Sequence, residues 1–159
     1  MNISDDLDVF ERRILVLLQK DAARSTAEIA AEVGLSEAPC WRRIQKLKSK
    51  GYIRKQVALV DKEKVGASLQ VFVQIKLDAV GRANINAFAE RIREFPEVME
   101  CFILLGNFDF LLRIVTRSIA DYERFFFDRL SSVSGIKDAN SIVTISEVKS
   151  TTEVPIPAE

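Results

Sequence analysis

The run Gly34-Leu35-Ser36 is the tightest constraint in the chain, because one helical pattern stops at its first residue and another starts at its last. Glycine lacks a Cβ and so takes the left-handed conformation that ends a helix, while serine is a preferred N-cap. Upstream, Ser25 and Glu28 have capping-box spacing, and Ile29, Ala30 and Val33 fall on one side of the short helix they open. Before that, Asp8 and Glu11 repeat the box ahead of Phe10, Ile14, Leu15, Leu17 and Leu18, a helix expected to end near Lys20. Ser36 opens a third helix that tolerates Pro39 in its first turn, and Gly51 closes it. Three helices in roughly 45 residues, the last two joined by so short a turn, predict a helix-turn-helix with the third helix as the reader. Residues 52–60 are then predicted as a strand, a small β wing.

Charge is distributed to match. The chain holds 23 Lys and Arg against 23 Asp and Glu, yet residues 1–65 carry 13 basic and 10 acidic side chains (net +3) and residues 66–159 carry 10 and 13 (net −3). Residues 38–60 contain Arg42, Arg43, Lys46, Lys48, Lys50, Arg54 and Lys55 and no acid, a basic stripe suited to an anionic partner. On the third helix Cys40, Ile44 and Leu47 recur at core spacing, which leaves Glu37, Ala38, Arg42, Arg43, Gln45, Lys46 and Ser49 outside. Arg42, Arg43 and Lys46 are therefore the candidates for groove and phosphate contacts, since long cations fork onto guanine edges or neutralise phosphates. Thr26, Ser36, Ala38 and Pro39, at the starts of the second and third helices, complete the candidate set. A solvated charged face is the plain alternative for such a helix, and the helix-turn-helix punctuation decides against it. Trp41, beside the core stripe, is assigned to packing.

The rest of the chain repeats one rhythm. Strands are predicted near residues 69–77, 98–105, 108–116 and 141–149, with helices near 82–95 and 118–130, the second capped by Ser118 and Asp121. This is the βαββαβ order of a ferredoxin-like domain, making the chain α+β: a winged helix-turn-helix over residues 1–60, a linker over 61–67, and the ferredoxin-like domain over 68–159. Gly106-Asn107 is expected to close a two-residue hairpin between the middle strands. Those two strands are apolar on both alternating faces, and Phe125, Phe126 and Phe127 stand about 100° apart on a helix. Helices cover only one face of such a sheet, so a homo-oligomer is expected to cover the other.

Several function classes recede. There is no histidine, and Cys40 and Cys101 lie far apart with no metal-ligand spacing, so no zinc site is expected and both cysteines read as small core residues. No paired carboxylates, phosphate loop or nucleophile constellation stands out, so catalysis and a cofactor are not expected. No apolar run approaches the roughly 20 residues of a membrane span, and the opening MNISDDLD is acidic where a secretory signal is basic and then apolar, so the expected location is the cytoplasm.

The run VGLSEAPCWRRIQKLKSKGYI, followed in order by LLGNFDFLLRI and SEVK, resembles the leucine-responsive regulatory protein/AsnC family, the feast/famine regulators, over nearly the whole chain. The resemblance implies a regulator of transcription that binds double-stranded DNA, with dimers assembling into octamers or similar rings and an amino acid as the usual effector. In that family the effector lies between subunits, which nominates Gly106, Asn107, Phe108 and Asp109, with Leu104, Val143 and Thr144 beside them. The chemistry is coherent, since free amides of a turn hold a carboxylate and an aspartate pairs with an ammonium group. Asn107 departs from the family, which often has aspartate there. Two alternatives stay open: sirohaem decarboxylases of similar build, which are expected to use histidine, and architectural members that wrap DNA with little sequence preference.

Overall fold

The computed structural model describes residues 7–157, so most of the acidic N-terminal stretch lies outside the described residues. The chain divides into two compact units, one running up to Leu59 and including the segment from Lys149 onward, the other Val60–Val148.

The first unit contains α1 (Val9–Lys20), α2 (Thr26–Val33) and α3 (Glu37–Ser49). Both expected capping boxes form: the Asp8 side chain accepts from Glu11 N while Glu11 accepts from Asp8 N, and Ser25 and Glu28 do the same. Gly34 stands at φ 78°, the left-handed stop that leaves only three residues between α2 and α3. Ser36 is the N-cap residue of α3, but its side chain makes no capping bond. The core is built from Ile14, Leu15, Leu17, Ile29, Ala30, Val33, Cys40, Ile44 and Leu47.

Two expectations need correction in this unit. Residues 52–60 form no strand; Tyr52 and Ile53 donate to Leu47 O and pack on the core, and Val57, Leu59 and Val60 are exposed. A strand needs a second strand to pair its backbone, and within this unit none is present among the described residues. The C-terminal segment, counted with the second domain from sequence, packs on the first unit. Gln19 exchanges two hydrogen bonds with the Val154 backbone (3.2 and 2.7 Å), the Arg12 guanidinium donates to Pro157 O (3.1 Å), and Ile156 joins the helical core. Ile156→Asp is accordingly expected to destabilise the helical unit by about 1–3 kcal/mol, read as an earlier melting transition by circular dichroism, because the apolar contacts of Ile156 with the helical core are lost. An unchanged transition would mean that the tail does not contribute to that core.

The second unit holds β1 (Leu69–Leu77), α4 (Ala79–Ala83), α5 (Ile85–Arg93), β2 (Val98–Ile103), β3 (Phe110–Thr116), α6 (Ile119–Phe125) with a π-helical turn (Phe126–Leu130), and β4 (Ile136–Val143). The strands form one antiparallel sheet in the order β2-β3-β1-β4, the ferredoxin-like arrangement. Val71, Val73, Ile75 and Leu77 of β1 and Phe110, Leu112 and Ile114 of β3 face Phe88, Ile92, Tyr122 and Phe125 of the helices, with the Phe88 and Phe110 rings 4.6 Å apart. Among the three successive phenylalanines, Phe125 is buried, Phe126 half-buried and Phe127 68% exposed.

The single helix expected near residues 82–95 is two. Asp78 caps the chain early through Gly81 N, and Asn84 leaves the helical region at φ −120°, ψ 36°. The last strand starts five residues before the expected Ser141, because Ile136 lies opposite Leu77 and Val143 opposite Val71. Pairing with β1, rather than local β propensity, draws Lys137, Asp138 and Asn140 into the sheet.

Candidate DNA-reading helix and effector loop

On α3 the buried stripe Cys40, Ile44 and Leu47 sets the orientation of every other side chain. At 100° per residue, Ala38, Arg42, Gln45 and Ser49 lie opposite that stripe, and all four are exposed. Arg42 makes no ion pair or hydrogen bond among the described residues. Arg43 and Lys46, expected beside it as DNA contacts, are held inside the unit. Arg43 Nη2 lies 3.2 Å from Asp8 Oδ2 with its guanidinium over the Phe10 ring, and Lys46 Nζ lies 2.6 Å from Glu11 Oε1. Glu11 is 1% exposed, so this carboxylate is buried and the lysine is its counter-charge. Sequence reading found Asp8 and Glu11 only as a local cap; that the same two acids also tie α1 to α3 is a tertiary fact.

Thr26 and Pro39 are half-buried in the first turns of α2 and α3, and Ser36 is exposed at the α3 N-terminus. Trp41 corrects its assignment to packing: at 54% exposed it stands on the surface of α3, one helical step before Gln45. Of the cysteines, Cys40 is in the core as expected, while Cys101 faces out from β2. Burial in the helical core raises the Cys40 thiol above its ordinary pKa, which argues against a reactive thiolate there.

Residues 104–109 connect β2 to β3. The expected two-residue hairpin is replaced by a longer loop, since Leu104 N donates to Asp109 O (2.9 Å) and Asn107 does not take the positive φ that a type I′ turn requires there. Gly106 and Asn107 are exposed at its tip; Leu104 and Phe108 are half-buried. Asp109 anchors the loop. Its N–H donates to Ile75 O (2.8 Å), its Oδ2 accepts from Leu77 N (2.7 Å), and Lys76 and Arg82 flank the carboxylate at 3.9 and 3.6 Å. The carboxylate expected to meet an ammonium group is thus engaged within the chain. Val143 lies opposite Val71, and Thr144 bonds Gln70 O through both its N–H and its hydroxyl. The loop therefore sits at the end of β1 and Val143 and Thr144 at its start, roughly 20 Å apart at strand rise. One chain does not bring these nominated residues together.

A helix-turn-helix with an exposed cationic pole, carried in one chain with a separate ferredoxin-like unit, defines a DNA-binding regulator of transcription with a ligand-binding domain. The chain belongs to the Lrp/AsnC family: residues 7–48 match the AsnC-type helix-turn-helix domain and residues 70–154 the Lrp/AsnC ligand binding domain. The glutamate uptake regulatory protein of Zymomonas mobilis subsp. mobilis is 37% identical over 151 residues, covering 95% of this chain and 92% of that protein. Among solved structures, an AsnC family transcriptional regulator from Agrobacterium tumefaciens matches with a TM-score of 0.89 at 40% identity, over 94% of this chain and 97% of that one. A transcriptional regulator from Neisseria meningitidis in complex with L-Met matches with a TM-score of 0.89 at 34% identity, over 94% and 96%.

Proposed function

We propose that the protein binds operator DNA through α3 as a homo-oligomer in the cytoplasm, and that an amino acid held by the 104–109 loop of one copy and the Val143–Thr144 region of another sets its DNA-competent population. It performs no catalysis and needs no cofactor. The observation that supports this reading is the separation of the two groups of nominated residues along β1, which leaves them too far apart within one chain to hold one amino acid together. The outer face of the sheet supports the same assembly: Phe72, Phe102, Leu111 and Ile142 lie there, on the side opposite the helices of their own unit. The amino-acid class is supported by the relative named for glutamate uptake and the neighbour solved with L-Met.

Within the site Asp109 shapes the loop, leaving Gly106, Asn107 and Phe108 at its tip for the ligand. A thermal-shift screen against the twenty amino acids, paired with light scattering, tests the proposal. A ligand at a hundred times its Kd adds about 2.7 kcal/mol to the folded state, enough for a shift of several degrees. One chemical class of amino acid is expected to raise the melting point of an oligomer and to change its operator affinity. A monomer, or an oligomer whose melting point and DNA affinity respond to none of the twenty, would overturn the effector part of the reading.

A further inference from the structure

We infer that the outward side chains of α3 divide into two pairs with different roles: Arg42 and Gln45 read neighbouring base pairs, while Arg43 and Lys46 position the helix and read nothing. This rests on α3 being the DNA-contacting helix. Four observations lead to it. Arg42 and Gln45 flank the pole of α3 directly opposite Cys40, Ile44 and Leu47, and both are exposed. Neither side chain makes an ion pair or hydrogen bond among the described residues, so neither must give up a protein partner to meet DNA. Arg43 and Lys46 lie on the flank toward α1, paired with Asp8 and Glu11. Finally, Glu11 is buried and its other oxygen accepts from Asp8 N, so withdrawing Lys46 toward a phosphate would strand a buried carboxylate.

The chemistry of the free pair is specific. A guanidinium forks onto guanine O6 and N7, and a carboxamide pairs in bidentate fashion with adenine N6 and N7. Positions three apart on a helix rise about 4.5 Å, close to the base-pair step of about 3.4 Å, so Arg42 and Gln45 address neighbouring pairs, one G·C and one A·T. Arg43 and Lys46 then act through α1: they hold the reader at its angle, and their charges are largely spent on Asp8 and Glu11.

The test is selection of preferred sites by the full-length protein from a randomised duplex pool, repeated with Arg42→Ala, Gln45→Ala, Arg43→Met and Lys46→Met, with direct affinities on the selected site. The wild-type site is expected to contain neighbouring G·C and A·T positions. Gln45→Ala is expected to lose discrimination, by about tenfold or more, at the A·T alone, and Arg42→Ala at the G·C alone. Arg43→Met and Lys46→Met are expected to retain the wild-type motif, with lower affinity for all duplexes alike and a lower melting point of the helical unit. The division of labour is overturned if Gln45→Ala keeps the full motif, or if Lys46→Met or Arg43→Met loses a single position while the melting point holds. If all four variants bind the wild-type site with unchanged affinity, α3 is not the contacting helix and the reading beneath this inference falls with it. Because Arg42 and Gln45 are exposed and unpaired, their variants are expected to fold as the wild type, which circular dichroism checks.

Discussion

Gly135→Ala is expected to destabilise the ferredoxin-like unit by about 3 kcal/mol or more, seen as an earlier midpoint in chemical denaturation. Gly135 sits at φ 90°, where an L side chain is strained, and a Cβ there would lie 2.5 Å from Gly81 Cα. The approach is reciprocal, since a Cβ on Gly81 would lie 2.5 Å from Gly135 O. Gly135 O also accepts from Asp78 N at 2.9 Å, so the contact joins the start of α4 to the turn before β4. Backbone faces backbone on both sides, and no flexible side chain can yield. Gly66→Ala provides the control, because Gly66 has φ 75° with nothing within 4 Å of its Cβ position and is expected to cost only about 1–2 kcal/mol. Equal losses in the two variants would show that backbone strain, and not the close approach, accounts for Gly135.

Asp109→Ala is expected to cost about 1–3 kcal/mol and to abolish any amino-acid-induced thermal shift, because it frees the Leu77 amide and leaves Lys76 and Arg82 without the carboxylate between them. Asp109→Asn separates the two roles of the side chain. The amide oxygen can still accept from Leu77 N, so most of the stability is expected to return, while the charge facing Lys76 and Arg82 does not. Asn107→Ala, at the exposed tip, is expected to stay within about 0.5 kcal/mol of wild type and to weaken only the effector response. If Asp109→Ala melts as the wild type yet loses the effector, Asp109 is a ligand contact and not the loop's anchor.

The legible part of the fold was the part in which sequence neighbours do the work. Asp8 with Glu11, Ser25 with Glu28 and Ser118 with Asp121 are caps closed within three residues, and each forms as the spacing predicts. The stripe Cys40, Ile44 and Leu47 faces inward because helical geometry leaves it no other arrangement. Local signals misled where a distant segment decided. Lys137-Asp138-Ala139-Asn140 is a poor strand by composition and becomes one because β1 is there to pair with it. Residues 52–60 are a good strand by composition and remain unpaired within their unit. Trp41, an expected packing residue by type, is exposed because α1 and α2 close the core without it.

The candidate sites divide along the same line. Charge and helical period were enough to nominate α3 and its cations, and resemblance to the family was enough to nominate the 104–109 loop. Spacing within single segments and motifs read in order were enough for the three N-terminal helices, the βαββαβ succession, the inward faces of the helices and the family, though not for the absent strand at residues 52–60 or the break at Asn84. It took the folded chain to show which cations are free and which are paired, that Asp109 is already engaged, and that the two groups of residues nominated for an effector lie at opposite ends of β1. Ion pairing, burial and strand register depend on groups brought together from far along the chain: Lys46 meets Glu11, Asp109 meets Leu77, and Thr144 meets Gln70.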